Sequence, residues 1–156
     1  RRAEDDVAAG RMPTRPFVML CQQQAADPSR ATGPARGHTV VWSYAHVPHG
    51  HPGDVRPLIE AEVERHAPGF RDRIGAAVAM RPADLEAWNP NLVGGDIAGG
   101  SLAGARALLR PTASPRPHRA GRTGLYLASA STPPGAGVHG MGGAWAVRTL
   151  LADRRR

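Results

Sequence analysis

The residues of this chain that could contribute chemistry are concentrated near its C-terminus, in a loop rich in glycine. Residues 135–140 read Gly-Ala-Gly-Val-His-Gly, which matches the pattern G-x-G-x-x-G of dinucleotide-binding loops. That motif needs a strand that runs directly into the glycines and, about 20 residues further on, an acidic residue on a second strand. Here a proline-bearing loop intervenes, and the sequence stops at Arg156 without another strand. We therefore interpret the segment as a loop that lets a ligand approach the backbone closely, and not as a dinucleotide fingerprint.

Two elements would hold this loop in place. The sequence predicts a short strand over Gly124–Ser129, then the loop Thr132–Gly140, then a helix that begins at about Val138 or Met141. The N-terminus of such a helix presents unpaired N–H groups and about half a positive charge, which favour phosphate or a flavin ring that gains negative charge on reduction. The alternative, which the spacing alone favours, is a tight turn between strand and helix without a ligand.

One histidine of the loop is a candidate for acid–base chemistry. His139 stands at the entrance to the predicted helix, where an imidazole could donate a hydrogen bond to a ligand or move a proton near neutral pH. The alternative is a packed or solvent-facing loop residue. Hydroxyl groups on Ser129, Ser131 and Thr132 lack the nucleophile-elbow context of a hydrolase.

A second group of histidines invites a metal-site interpretation. His46, His49 and His51 follow the pattern H-x-x-H-x-H, which is not a standard zinc arrangement, and no carboxylate or cysteine completes it locally. The prolines and glycine around them indicate a loop. We therefore expect turn or surface histidines and no metal site.

The composition limits the class of protein. Valine, leucine, isoleucine and phenylalanine make 27 of the 156 residues, about 17%, which is a poor supply for an independent core. We therefore expect the chain to fold against more of the same polypeptide or against a partner chain. The absence of Met at position 1 fits a fragment or a trimmed chain.

Charge, cysteine content and hydropathy exclude several further classes. The net charge is +7 with 20 arginines, but the aromatic residues are scattered and no nucleic-acid-binding module is present, so we expect no nucleic-acid partner. The single Cys21 excludes an internal disulfide, and its apolar neighbours predict a buried thiol. No apolar run approaches the ~18–20 residues of a membrane span, and no secretion signal follows the first two arginines, so the expected location is the cytoplasm.

Local patterns predict the remaining elements. Two strands, Phe17–Gln24 and Thr39–Val47, are joined by a long turn and should form an antiparallel pair. A helix should follow Asp54 as N-cap and end at Pro68, because Val55, Leu58, Ile59 and Val63 form one apolar stripe. The other predicted segments are a short strand over Ile74–Met80, a short helix over Pro82–Trp88 and a surface connection over Pro111–Thr123.

The C-terminal stretch also resembles a known family. Residues 124–147, GLYLASASTPPGAGVHGMGGAWAV, are similar to the closing flavin-binding motif of FAD-dependent oxidoreductases of the phytoene desaturase type, in particular the branch described as pyridine nucleotide-disulfide oxidoreductase domain-containing proteins. The resemblance continues upstream, in family order, through ADPSRATGPARGHTVVWSYAHVP, IEAEVERHAPGFRDRI and RPADLEAWNPNLVGGDIAGG. It covers nearly all of the chain from Phe17 to Leu151.

The resemblance implies an α/β (mixed α+β) fold from a two-part flavoprotein. A mixed or antiparallel substrate-domain sheet with helices would be followed by the closing strand and helix of a Rossmann-like FAD domain. The implied organisation is a linker or frayed end at 1–15, a partial substrate-binding domain at 16–123, the closing strand–loop–helix at 124–152 and a tail at 153–156. The cofactor-binding residues that the resemblance implies, beside the ribityl chain and the pyrimidine side of the flavin, are Ser129, Ala130, Ser131, Gly135, Gly137, Val138, His139, Gly140 and Met141.

The sequence departs from the family in one large respect. The N-terminal strand–GxGxxG–helix that holds the ADP part of FAD has no counterpart in the 156 residues. The expected function is therefore the C-terminal portion of an FAD-dependent desaturase or dehydrogenase that takes a hydride from a hydrophobic substrate, inactive without an N-terminal FAD-binding half in the same or another chain. The alternative is a non-catalytic remnant or interaction module that pairs with a partner chain. No motif identifies the substrate, the electron acceptor or a catalytic base beyond the candidate His139.

Overall fold

The structure is a computed structural model that describes residues 2–101, 104–107, 109–121 and 124–155. The chain divides into two compact units, Arg1–Trp88 and Asn89–Arg156. The helices and strands, in chain order, are α1 (Arg2–Ala8), β1 (Val18–Cys21), β2 (Trp42–Ala45), α2 (Arg56–His66), α3 (Pro82–Trp88), β3 (Arg119–Ala120), β4 (Leu125–Tyr126) and α4 (Met141–Arg154). Short 3₁₀ turns lie at Gln23–Ala25, Pro28–Arg30, Gly33–Ala35, Arg71–Arg73, Val93–Gly95 and Gly104–Ala107.

The first unit is built on the predicted antiparallel strand pair. Strands β1 and β2 pair with Val18 opposite Ala45 and Cys21 opposite Trp42, which confirms the pairing although both strands are shorter than predicted. Helix α2 contacts both strands. Cys21 is half-buried and not buried as predicted, because two strands beside one helix do not enclose a side chain on every side.

Helix α2 follows its local signals at both ends. The N-cap is Val55 and not Asp54 as predicted, but Asp54 Oδ1 accepts the N–H of Arg56, the first residue of the helix, at 2.9 Å. After the helix ends at His66, the carboxylate of Glu64 accepts the N–H of Gly69 at 2.6 Å and that of Arg71 at 2.8 Å. These bonds lower the pKa of Glu64, the Arg71 amide being the larger cause. The predicted helices α2 and α3 are both present.

Two segments of the first unit differ from expectation. Residues 1–15, expected to be irregular, contain helix α1, although Arg1 lies outside the described residues. Residues 74–80 form no strand, so that prediction is wrong. The Val78 side chain there is 96% exposed, and β-propensity without a neighbouring strand to pair with does not fix a strand.

The second unit contains a small hairpin and the longest helix. Strands β3 and β4 pair antiparallel with Arg119 opposite Tyr126, and the Leu127 N–H donates to the His118 carbonyl oxygen at 2.7 Å. Strand β3 lies inside the predicted connection Pro111–Thr123, whose last two residues are outside the described part of the chain. Helix α4 begins at Met141, one of the two starts that the sequence predicted, and extends into the expected tail at 153–156.

The mixed α and β class is confirmed, but the expected Rossmann-like closing strand is not seen. The predicted strand Gly124–Ser129 is a strand only over Leu125–Tyr126, and its partner β3 is antiparallel. A Rossmann-type strand needs a parallel neighbour reached through a long crossover connection. The described residues contain only the two antiparallel pairs β1–β2 and β3–β4.

Little apolar surface is buried in either unit. Among the described residues, the buried apolar side chains are Ala146 and five prolines, Pro13, Pro16, Pro48, Pro82 and Pro133, whereas Arg110, His118 and Thr132 are buried polar ones. None of the described helices has the length and apolar character needed to cross a membrane. The division at Trp88 falls inside the predicted substrate domain 16–123, and that domain assignment and the cytoplasmic location stay predictions.

Candidate functional site

An open groove of about 430 Å³ lies in the second unit at the N-terminus of α4. Its volume is within the range of about 300–1,000 Å³ that is typical of small-molecule sites. One side is formed by residues 128–130, another by the glycine loop, and the first turn of α4 adds a third. The lining residues are Ile97, Ala128, Ser129, Ala130, Gly135, Ala136, Gly137, Val138, His139, Gly140, Gly142 and Gly143.

Most of the predicted cofactor-binding residues meet in this groove. Those that line it are Ser129, Ala130, Gly135, Gly137, Val138, His139 and Gly140. Ser131 and Met141 are not part of the lining. Their backbone N–H groups instead bind side chains of nearby lining residues: the Ser131 N–H donates to Ser129 Oγ at 3.1 Å, and the Met141 N–H donates to His139 Nδ1 at 3.0 Å.

A tight turn fixes the end of the predicted strand. Thr132 is fully buried, and both its N–H and its hydroxyl donate to the Ser129 carbonyl oxygen, at 3.0 and 2.8 Å. The Ser129 and Ser131 hydroxyl oxygens lie 2.6 Å apart, and the Gly135 N–H donates to the Thr132 carbonyl oxygen at 2.9 Å. The hydroxyl groups therefore shape the loop.

The start of α4 leaves two backbone donors on the groove. Gly140, the residue before the helix, has φ 64° and ψ 4°, a left-handed conformation that favours glycine. Its carbonyl oxygen accepts the Ala144 N–H at 3.2 Å. Between these residues, the amides of Gly142 and Gly143 have no acceptor among the described residues. They line the groove, so a ligand there would meet two unpaired N–H groups at the positive end of a helix.

His139 is exposed, and its ring orientation is fixed by two contacts. Its Nδ1 accepts the Met141 N–H, so the neutral imidazole carries its proton on Nε2. The ring lies over Gly137, where an added Cβ would stand 2.7 Å from His139 Cδ2 and 2.9 Å from Nε2. Only Nε2 is therefore free to donate a hydrogen bond to a ligand, and Gly137 is the residue type that allows this packing.

Sequence reasoning missed an arginine that supports the groove from outside its lining. Arg110, 4% exposed, donates to the carbonyl oxygens of Ala130 and Ser131. No spacing pattern links an arginine with carbonyl groups 20 residues away, so no sequence signal could have found it. Gly142 is a lining residue, and an added Cβ there would lie 3.5 Å from the Ser129 carbonyl oxygen, so the start of α4 packs closely on the preceding turn.

The histidines of the first unit do not come together. His46 Nδ1 lies 3.0 Å from both carboxylate oxygens of Glu4, and its ring stacks against Phe17 with centroids 4.9 Å apart. No group of three or more potential metal ligands occurs in the part of the chain that the structure describes.

Comparison with known proteins relates the chain to one class, proteins described as carrying a pyridine nucleotide-disulfide oxidoreductase domain, and so confirms the resemblance seen in the sequence. The relatives are pyridine nucleotide-disulfide oxidoreductase domain-containing protein 2 of Mus musculus, 28% identical over 164 aligned residues, and the protein of the same name from Rattus norvegicus, 28% identical over 163. Each alignment covers 97% of this chain, and the chain spans 28% of the length of each relative. No protein-family model matches the chain, and no solved structure matches it.

Proposed function

We propose that this chain supplies part of the flavin site of an FAD-dependent oxidoreductase of the desaturase or dehydrogenase type. The observation that carries the proposal is the groove at the N-terminus of α4, which is lined by seven of the nine residues that the family resemblance selects. The distant homology to the two rodent proteins supports the same class. The ADP part of FAD would be held by an N-terminal half, in the same polypeptide or in a separate chain.

The residues of the groove fit a flavin. Its lining is mostly backbone, glycine and alanine, which allows a flat ring to approach closely, and Val138 and Ile97 offer apolar side chains beside it. The unpaired amides of Gly142 and Gly143 suit the carbonyl oxygens of the pyrimidine side of the ring. His139 Nε2–H adds a third donor.

The electrostatics of the groove match the chemistry that a flavin supplies. A bound flavin would take a hydride from the substrate, and its ring would then gain negative charge. The N-terminus of α4, with about half a positive charge and two unpaired amides, would stabilise that charge without rearranging. His139 would orient the ring through Nε2–H, and the protein's part in the reaction would be position and electrostatics.

The first unit would contribute surface for a hydrophobic substrate. Trp42 and Tyr44 on β2 and His46 just after it form a row of rings, with neighbouring centroids 5.3 and 5.6 Å apart, and Phe17 continues the row. Trp42 and Phe17 are 51% and 46% exposed, so their rings remain accessible. Such a row of rings suits an extended apolar molecule.

The proposal is tested by titrating the ¹⁵N-labelled chain with riboflavin and following its amide resonances. Shifts centred on residues 135–143, with the first unit unchanged, are expected. A chain whose groove amides do not move in a solution saturated with riboflavin would contradict a flavin site here. In a second experiment, co-expression with the N-terminal half should give a yellow protein, and a folded complex that stays colourless with added FAD would refute the oxidoreductase assignment.

A second candidate function, a non-catalytic remnant or interaction module that pairs with a partner chain, is favoured by the exposure of large apolar side chains. Met19, Leu125 and Val147 are 42%, 60% and 55% exposed, although they lie on regular elements. Light scattering after size exclusion distinguishes the two. Self-association or capture of the N-terminal half without flavin would favour the module, whereas a stable monomer would count against it.

A further inference from the structure

Arg110 is almost fully buried, and all of its hydrogen-bond acceptors among the described residues are backbone oxygens. The residue is 4% exposed, and its guanidinium group offers five N–H donors in a planar fork. The acceptors are the carbonyl oxygens of Ser131 (Nε, 3.2 Å), Gly100 (Nη1, 3.3 Å), Ala98 (Nη2, 2.5 Å), Ala130 (Nη2, 2.6 Å) and Gly99 (Nη2, 2.9 Å). No carboxylate stands among these partners.

The acceptors belong to two segments about 30 residues apart in the sequence, 98–100 and 130–131. Asp96 binds the N–H groups of segment 98–100. Its Oδ1 accepts the Ala98 N–H at 2.7 Å, and its Oδ2 accepts the Gly100 N–H at 2.6 Å. The loop therefore turns its N–H groups toward Asp96 and its carbonyl groups toward Arg110. It has no regular secondary structure that would otherwise hold this orientation.

Both segments border the groove. Ile97, just before the first segment, and Ala130, in the second, are lining residues. The segments approach so closely that a Cβ on Gly99 would stand 3.0 Å from the Ser131 nitrogen. Arg110 is thus the connection between two sides of the groove, although it is not itself among the lining residues.

The charge of Arg110 has a consequence for the ligand. Carbonyl dipoles stabilise a guanidinium but do not cancel its charge, and in a poorly solvated environment that charge acts over a longer distance than in water. It adds to the positive end of α4 on the same groove.

We propose that Arg110 is a positioning residue for the groove, which joins segments 98–100 and 130–131 and makes the groove select a ligand that carries negative charge. The selectivity rests on the proposed flavin site, and the joining of the two segments does not. The two parts are therefore tested by different measurements on the whole chain.

The positioning part is tested by amide hydrogen exchange of Arg110→Met and Arg110→Lys. Exchange at Ala98, Gly100 and Ser131 should rise at least tenfold in Arg110→Met, while α2 in the first unit keeps its protection. The matched control is Arg148→Met, which removes an exposed arginine of the same unit and should change none of the three. If Arg110→Met does not fold, Arg110→Lys is used for this measurement. Unchanged exchange overturns the inference, whether or not riboflavin binds.

The selectivity part is tested by the ratio of two dissociation constants, that of riboflavin divided by that of its anionic 5′-phosphate, at low salt. Arg110→Met should lower this ratio several-fold, because it removes the positive charge. Arg110→Lys keeps the charge and should restore the ratio, although the amides of Ala98, Gly100 and Ser131 exchange faster in that variant than in the unmodified chain. If Arg110 had a purely structural role, the ratio would not depend on the charge at position 110. An unchanged ratio in Arg110→Met therefore overturns the selectivity. A chain that binds neither probe refutes the flavin proposal and with it the selectivity, and exchange still decides the positioning part.

Discussion

The hydroxyl of Tyr126 donates a hydrogen bond of 2.9 Å to Oδ2 of Asp153 and thereby joins the β3–β4 hairpin to the last turn of α4. The same carboxylate, 7% exposed, lies 2.9 Å from Arg119 Nε and 2.5 Å from Arg116 Nη1. An acidic residue near a helix C-terminus is unfavourable for the helix dipole. The two arginines offset that cost, so the carboxylate connects three segments of the second unit.

We expect Tyr126→Phe to lower the free energy of unfolding by about 1 kcal/mol, the usual value of one hydrogen bond. Asp153→Ala should cost more, about 2–3 kcal/mol, because it removes the Tyr126 hydrogen bond and leaves both arginines without their partner. The partial exposure of the two arginines to water limits the loss to this range. Urea unfolding followed by far-ultraviolet circular dichroism measures both. Tyr44→Phe, in the first unit, is the control because its hydroxyl makes no hydrogen bond among the described residues. Equal losses for the two tyrosine variants would show that the Asp153 bond contributes nothing.

The sequence predicts those parts of the fold that local interactions determine. Helix α2 has its apolar stripe, Asp54 before it and Pro68-Gly69 after it, and all these signals lie within about fifteen residues. The β1–β2 pair was predicted because Phe17–Gln24 begins with an apolar run and Thr39–Val47 is rich in β-branched and aromatic residues. Residues 74–80 also form an apolar run, but no neighbouring strand pairs with them, and a pattern within one segment cannot reveal that.

The groove was predicted in part for the same reason. The glycine loop and the start of α4 are local, and seven of the nine selected residues line the groove. Arg110 acts on backbone oxygens that any residue type supplies, so nothing in the sequence marks its partners. Asp153 looked like part of a charged tail, because its partners Arg116, Arg119 and Tyr126 come near it only when the hairpin and α4 have folded.

Gly99 should tolerate no side chain. Its φ is +68°, and a Cβ would lie 3.0 Å from the Ser131 nitrogen and 3.1 Å from its Cα, which are backbone atoms that cannot move away easily. We expect Gly99→Ala to cost about 1–3 kcal/mol of unfolding free energy. Thermal unfolding measures it. Gly143→Ala is the matched control, since nothing lies within 4 Å of its added Cβ and alanine in a helix should stabilise by about 0.5–1 kcal/mol. A neutral Gly99→Ala would contradict the close approach of the two segments.

The pKa of Asp84 should depend on Arg81. The side-chain hydrogen bonds of Arg81, followed by its backbone N–H, lower the pKa of Asp84 from 3.8 to about 2. A carboxyl with a lowered folded-state pKa stabilises the folded state above the unfolded value, so this contribution is lost as the pH falls from about 3.8 to about 2. Arg81→Gln should raise the Asp84 pKa part of the way to 3.8, because the backbone bond remains. The ¹³C shift of the carboxyl group measures it. Arg73→Gln should leave the titration unchanged, and an equal shift in that control would refute the specific pair.

His139 should carry its proton on Nε2 and should stabilise the start of α4. Its Nδ1 accepts the Met141 N–H at 3.0 Å and so satisfies one donor that the first turn of the helix otherwise leaves unpaired. Long-range ¹H–¹⁵N correlation on the neutral imidazole should show the Nε2–H tautomer, whereas the Nδ1–H form would disprove the bond. His139→Ala should lower the free energy of unfolding by about 1 kcal/mol and speed amide exchange at Met141. The exposed His38→Ala in the first unit should do neither. Because the Met141 N–H occupies Nδ1, a ligand in the groove can reach only Nε2–H. His139→Ala should therefore also weaken riboflavin binding. A loss of helix stability alone would leave the binding of riboflavin to the folded chain unchanged.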